Sequence, residues 1–420
     1  MRILLISYYF PPCGGAAVQR WHRWLPHLVK SGIEVQVLTS EGGDYPILDD
    51  SLLQEVPPSV KIWRSPAPRL GSIWLKLFGK DSRMPHGSLE YHEHRGMLKR
   101  ILLWLRLNLV IPDLRVFWNP WAYRLARKLI RETPFDLIVT TGPPHSSHLI
   151  GLKLKKRFHL RWIADFRDPW SEIHYLKLNP PSKLSLYFHK RMERKVVSSA
   201  DKCLVVSHNI SARLPEGNKT VIYNGFDADK MDKIAYIPNS NFRVKYIGQI
   251  TAGQDWEGLL SIISGLRDDA EISFIGTKLS PMQSRQLKDA LGDRARLLPH
   301  QKQTDALCEM INSELLILMI NYYEGSQGML TTKLFEYIGS RTPILALGPH
   351  GGEAEKCLLE HHAGAYFDKS ELRLALDFAS IVKQAWHKRS DLRNASDLSA
   401  LSSKQQSLRL IMELNTKNSH

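Results

Sequence analysis

The heptapeptide ADFRDPW (164–170) sets two carboxylates, Asp165 and Asp168, on either side of Arg167. Three chemistries suit that grouping: a metal site, acid–base or electrostatic work at a reacting centre, or a tight turn closed by an ion pair. A cation between the two acids and the lack of a D-x-D spacing weigh against the metal. Three further stretches carry chemistry. Gly14 and Gly15 in PPCGGAAVQR follow an apolar strand and open a helix, so backbone amides there suit a phosphate or carboxylate; the loop lacks G-x-G-x-x-G, and a plain tight turn is the alternative. His145 and His148 stand three apart in TTGPPHSSHLIG, a spacing that fits a helix start and a substrate contact better than a metal with no third ligand. In GMLTTKLFEYIGSRTPILA (328–346), Thr332, Lys333 and Glu336 share one helix face. A cation and a hydroxyl near the helix start, one turn from a carboxylate, suit a diphosphate and the hydroxyls of a ribose. A solvent-facing Lys/Glu pair is the plainer alternative.

The elements that must position these residues read as alternating strands and helices. Apolar runs at 2–7, 135–141, 161–165, 202–207 and 219–224 are separated by helical patterns, and VQVLT follows Gly32. The rhythm restarts at 242–248, 271–276, 295–299, 314–320, 342–348 and 364–368. Buried strands alternating with helices predict parallel, doubly wound sheets, here in two successive α/β domains with a hinge near 225–241. The boundaries are set at 1–228 and 229–390, with a helical tail at 391–420. Leu330, Leu334 and Ile338 predict a buried helix face that Gly339 ends.

The chain of 420 residues carries a formal charge of +15, so its partners are expected to be anionic. No helix-turn-helix, zinc-finger or RNP-like pattern points to nucleic acid. Four scattered cysteines suggest neither a zinc ribbon nor a disulfide framework and fit a reducing cytoplasm. The start, MRILLISYYFPP, reads as a first strand and turn rather than a signal peptide, and the apolar run 101–112 is too short to span a bilayer. An insertion at about 65–120 differs in character. Between Arg69 and Arg115, nine Lys or Arg face four Asp or Glu, interleaved with Trp74, Leu75, Leu77, Phe78 and the 101–111 run. That is the pattern of an amphipathic element lying on an anionic bilayer; a charged solvent face over a buried stripe is the alternative.

Four passages in this order, YYFPPCGGAAVQR, FDLIVTTGPPHSSHLIGLKLKK with RWIADFRDPW, KTVIYNGFD and KLFEYIGSRTPILAL, resemble a GT-B retaining glycosyltransferase similar to family four. The resemblance implies two Rossmann-like domains facing across a cleft, the first for the acceptor and the second for the nucleotide-sugar. It implies transfer of a sugar with retention to a saccharide or lipid-linked saccharide acceptor in surface-polysaccharide synthesis, at the inner face of the plasma membrane. No metal or other cofactor is expected. Carried over residue by residue, the catalytic positions fall on Asp165, Arg167 and Asp168, where relatives place a histidine near Arg167. The second glutamate of the family's Glu-x7-Glu motif falls on Glu336; Gly14, Gly15, Thr332 and Lys333 are expected on the donor, and His145 and His148 on the acceptor, by their own chemistry and spacing. The first glutamate of the family's Glu-x7-Glu motif is Gly328 here, and its diphosphate-binding arginine is Gln249. Competing readings are an inactive GT-B binding module, a sugar-nucleotide epimerase and a dehydrogenase, against which the missing dinucleotide fingerprint counts.

Overall fold

The computed structural model describes residues 1–45, 47–69, 97–173, 176–177, 179–266, 270–386 and 397–416. The chain divides into two compact units, one of residues Met1–Asn224 with the chain from Ser407 onward, the other Gly225–Gln406.

Among the described residues, the first unit holds a parallel seven-stranded sheet of order β3-β2-β1-β4-β5-β6-β7. Its strands are β1 (Arg2–Ile6), β2 (Glu34–Glu41), β3 (Lys61–Pro66), β4 (Leu137–Gly142), β5 (Arg161–Phe166), β6 (Lys202–Val205) and β7 (Lys219–Val221). Side chains alternate across the sheet, so β1 sends Leu4 and Ile6 into one core cluster and Ile3 and Leu5 into another. Helix α1 (Ala16–Lys30) covers the second cluster through Trp21, Trp24, Leu25 and Leu28. The first cluster lies with α2 (Met97–Leu109), α3 (Asn119–Glu132), α4 (Ser146–Phe158) and α5 (Lys183–Ser199) in the same unit, taking Ala122, Ile150 and Val196 from the last three.

The second unit has a parallel six-stranded sheet of order β10-β9-β8-β11-β12-β13. The strands are β8 (Phe242–Ile247), β9 (Ala270–Ile275), β10 (Ala295–Leu298), β11 (Leu315–Met319), β12 (Ile344–Leu347) and β13 (Gly364–Phe367). Helices α6 (Trp256–Gly265), α7 (Pro281–Leu291), α8 (Gln303–Ile311), α9 (Thr332–Ser340), α10 (Glu353–Glu360) and α11 (Leu372–Ala385) alternate with them. Strand order reverses at β1 in one sheet and at β8 in the other, and a doubly wound sheet binds ligands at the carboxyl ends of its strands at such a point.

Three local outcomes differ from the sequence reading. Strand β3 was not expected: KIWRSP is polar, its burial alternates and it is an edge strand, so it lacks the continuous apolar run of its neighbours. Helix α9 does not end at Gly339. It runs on to Ser340 and is closed by Arg341 with φ of 57°. Gly339 is small for another reason, since a Cβ there would lie 2.4 Å from the ring of Phe226. Finally, α12 (Ser403–Asn415) carries Leu410 and Leu414 into the core cluster of the first unit. Arg161 donates to the carbonyls of Glu413 and Leu414, and Lys202 pairs with Glu413.

Of the amphipathic insertion, α2 is described, whereas Trp74, Leu75, Leu77 and Phe78 lie outside the described residues. No helix among the described residues is long and apolar enough to cross a membrane.

Candidate functional site

In the second unit, the carboxyl ends of β8, β9 and β11 meet the start of α9. Gly248 follows β8 with φ of 126°, and a Cβ there would sit 2.6 Å from Lys333 Nζ. The absence of a side chain at 248 therefore makes room for the lysine. Its ammonium lies 4.9 Å from the centre of the Tyr246 ring, a cation–π contact. Burial pulls the Lys333 pKa down to about 8, against the pull of Glu336 in the other direction. Glu336, one turn on, is buried at 9% exposure and accepts from Gln303 Nε2 at 3.4 Å. Thr331 caps the helix by accepting from Leu334 N at 3.3 Å, and Thr332 is half-buried beside it. The sequence-predicted trio of Thr332, Lys333 and Glu336 is thus gathered at the switch point of the sheet.

Gln249, expected at the donor, is engaged within the sheet. Its amide nitrogen donates to the carbonyl of Gly276 and its oxygen accepts from Lys278 N at 3.2 Å. The side chain binds the β8 and β9 ends together. The same join holds Thr277, whose hydroxyl donates to the Gly248 carbonyl at 2.6 Å. Sequence reasoning missed Lys278, an exposed cation on this junction, together with Tyr246 and Gln303. The only sequence signal for the first two was their position at strand ends, in KYIG and FIGTK.

In the first unit, the structure divides the residues of ADFRDPW sharply. Asp165 is fully buried and accepts three hydrogen bonds, from Trp21 Nε1 at 2.8 Å, Thr141 Oγ1 at 2.8 Å and Arg20 Nε at 3.2 Å. A carboxylate so enclosed does not face a sugar, and its expected catalytic role is corrected to that of a positioning group. Arg20 passes the link onward, donating to the Ile222 carbonyl at 2.8 Å and to Asn224 Oδ1 at 3.1 Å. Arg167, half-buried, is engaged by backbone carbonyls. Its guanidinium donates to the carbonyls of Gly142 at 3.0 Å, Pro143 at 3.1 Å and Ala17 at 2.5 Å, tying the β4 loop to the first turn of α1. Asp168 remains half-buried.

His145 and His148 are not surface contacts either. They are 4% and 0% exposed and form an aromatic stack with Phe166 and Trp170. The His145 ring lies 5.3 Å from Trp170 at an interplanar angle of 8°, and the His148 ring lies 4.4 Å from Phe166. Burial, helped by neighbouring positive charge, brings the His145 pKa down to about 3 and that of His148 well below the ordinary range. Their expected acceptor role gives way to packing inside the first unit. Trp170 in turn donates to His189 Nδ1 at 3.2 Å, and Ser171 N donates to the buried Glu193 at 3.2 Å. Asp113, at the end of the insertion, accepts from Ser146 N at 2.9 Å and Ser146 Oγ at 2.8 Å, so the start of α4 already holds a carboxylate of its own. Gly15 has φ of 84° and caps α1, while Gly14 N donates to the Ile47 carbonyl at 2.9 Å.

Residues 82–230 match the model of Glycosyltransferase Family 4. No curated protein matches the chain. Among solved structures, the sucrose-phosphate synthase of Thermosynechococcus elongatus is similar at a TM-score of 0.62 and 14% identity, covering 98% of each chain. Anabaena Alr3699/HepE in complex with UDP-glucose gives 0.61 and 13%, with 99% of each chain covered. WaaG, a glycosyltransferase involved in lipopolysaccharide biosynthesis, gives 0.57 and 14%, over 97% of this chain and 99% of that one. The fold is GT-B, and the resemblance to family-four glycosyltransferases holds over residues 82–230.

Proposed function

We propose that this GT-B chain transfers a sugar, with retention, from a nucleotide-sugar to a saccharide or lipid-linked saccharide in the synthesis of a bacterial surface polysaccharide. The observation that carries this reading is the grouping of Lys333 and Glu336 at the switch point of the second sheet, where a diphosphate and a ribose would find a cation and an acceptor. HepE, with UDP-glucose bound, and WaaG, from lipopolysaccharide biosynthesis, support the same class of donor and product. The +15 charge supports work at the inner face of an anionic membrane, as a peripheral protein.

The chemistry asked of the protein is positional and electrostatic. Lys333 and Lys278 neutralise the departing diphosphate, and Glu336 holds the ribose. Asp168 orients the acceptor hydroxyl, while the leaving phosphate oxygen takes its proton. With the lysines stabilising that charge, no step requires a metal, so chelator should leave the rate unchanged.

A thermal-shift panel of UDP-, GDP-, ADP- and CMP-sugars tests the reading, because a ligand of the native state raises the melting temperature. One nucleotide class should stabilise the parent, and Lys333→Ala should weaken that binding by roughly tenfold to a hundredfold, the range for a charged hydrogen bond. A panel in which none of the four shifts the melt would sink the donor assignment.

A further inference from the structure

Two helices of the first unit present an apolar surface that the transfer reaction does not use. On α2, Met97, Ile101 and Trp104 are 80%, 45% and 55% exposed and recur at i, i+4 and i+7, which is one stripe of a helix. On α5, Leu184, Tyr187 and Phe188 are 66%, 55% and 40% exposed at i, i+3 and i+4. The helices are fastened to one another. Ser182 N donates to Asn108 Oδ1 at 2.7 Å, and Ser185 Oγ donates to the Leu107 carbonyl at 2.9 Å.

The charge beside these stripes has a single sign. Neither helix shows an exposed acid: α2 has no Asp or Glu, and Glu193 of α5 is buried against Ser171. Lys190, Arg191, Arg194 and Lys195 are all exposed on α5. Across α2, α3, α4 and α5 the sequence holds sixteen Lys or Arg against two acids, Glu132 and Glu193, so nearly all of the excess charge of the chain is on these four helices.

We infer that the α2–α5 surface docks on a bilayer with anionic headgroups, the two stripes entering the boundary of the acyl chains and the surrounding cations meeting the lipid phosphates. The inference rests on the membrane-face reading above and gives it a location. Trp, Tyr and Phe at the margin of an apolar stripe, with lysine and arginine around it, are what the interface of a membrane accommodates. A second copy of this chain would bring the same cations against each other. A nucleic acid would meet the charge and leave the apolar stripes wet.

The test is co-sedimentation of the full chain with vesicles of phosphatidylcholine alone and with about one third phosphatidylglycerol, at low and high salt. Partitioning should require the anionic lipid and fall with salt. The pair Trp104→Ser with Phe188→Ser, and separately Lys190→Glu with Arg191→Glu, should each lower it by about tenfold or more. Both variants should keep the melting temperature and the nucleotide-sugar shift of the parent, which shows that they fold. Parent-like partitioning by either variant, equal binding to neutral vesicles, or self-association that Trp104→Ser disperses would overturn the assignment. Partitioning needs neither donor nor acceptor, so its failure is distinct from a failure of the transfer reading, which shows in the nucleotide-sugar panel.

Discussion

At the scale of single residues, Asp165 and Asp168 are three positions apart and do opposite work. Replacing Asp165 with Asn leaves Arg20 without its buried countercharge, and breaking one partner of such a pair costs about 3–5 kcal/mol. Urea unfolding should therefore show a large loss for Asp165→Asn. Asp168→Ala should keep the parental midpoint and lose turnover, and a well-folded mutant with normal transfer would remove Asp168 from the mechanism. Lys333 makes a second prediction at this scale. Burial has set its pKa at about 8, and the charged form is the one that meets a diphosphate, so the charge is present below that value and disappears above it. Donor affinity measured by calorimetry should fall as pH passes through about 8, and Lys333→Arg should move that loss upward because a guanidinium stays charged. An affinity indifferent to pH across that window would show that Lys333 does not touch the phosphates.

At the scale of elements, Asp113 joins the insertion to the β4–α4 loop. It caps the turn Leu114–Trp118 by accepting from Arg115 N at 2.9 Å and also serves the start of α4. Asp113→Ala removes a cap at both places and should destabilise the protein by about 2 kcal/mol, read from the urea midpoint. Strand and helix identity was largely legible in the sequence because period and apolar runs are local properties. RILLIS, RWIAD and ELLILMI each became a buried strand within two residues of the expected ends. The edge strand β3 was not legible, since half of its side chains face solvent and its pairing partners on β2 lie 25 residues earlier. Of the candidate site, the Thr332–Lys333–Glu336 face was readable from helical spacing alone. The burial of Asp165, His145 and His148 was not. A polar residue at a strand end can point outward or into the core, and Trp21, Thr141 and Trp170, which decide the matter, come from other elements of the chain.

At the scale of the whole molecule, the histidine stack couples stability to acidity. His145, His148 and His189 are all held neutral by burial, with pKa values lowered to about 3 for His145 and about 4 for His189. Their folded values lie below the unfolded value of about 6.5, so the unfolded chain takes up protons first on acidification. The stabilisation is complete above about pH 6.5 and is lost progressively as pH falls toward about 4. Melting curves should therefore drop between neutral pH and pH about 5, with uptake of more than one proton on unfolding. A melting temperature flat over that range would contradict the neutral, buried state of the stack.

The return of α12 to the first unit has a consequence for the order of events during synthesis. Leu410 and Leu414 join the core cluster that holds Trp24, Leu28 and Ile222, and Arg161 and Lys202 find their partners at residues 413 and 414. A nascent chain therefore emerges with the first sheet complete in strands but uncapped on one face until some 190 further residues have followed β7. Translation that stalls within the second unit would expose that face, and chaperone occupancy on ribosome-bound chains should persist until the segment from Ser407 has left the exit tunnel.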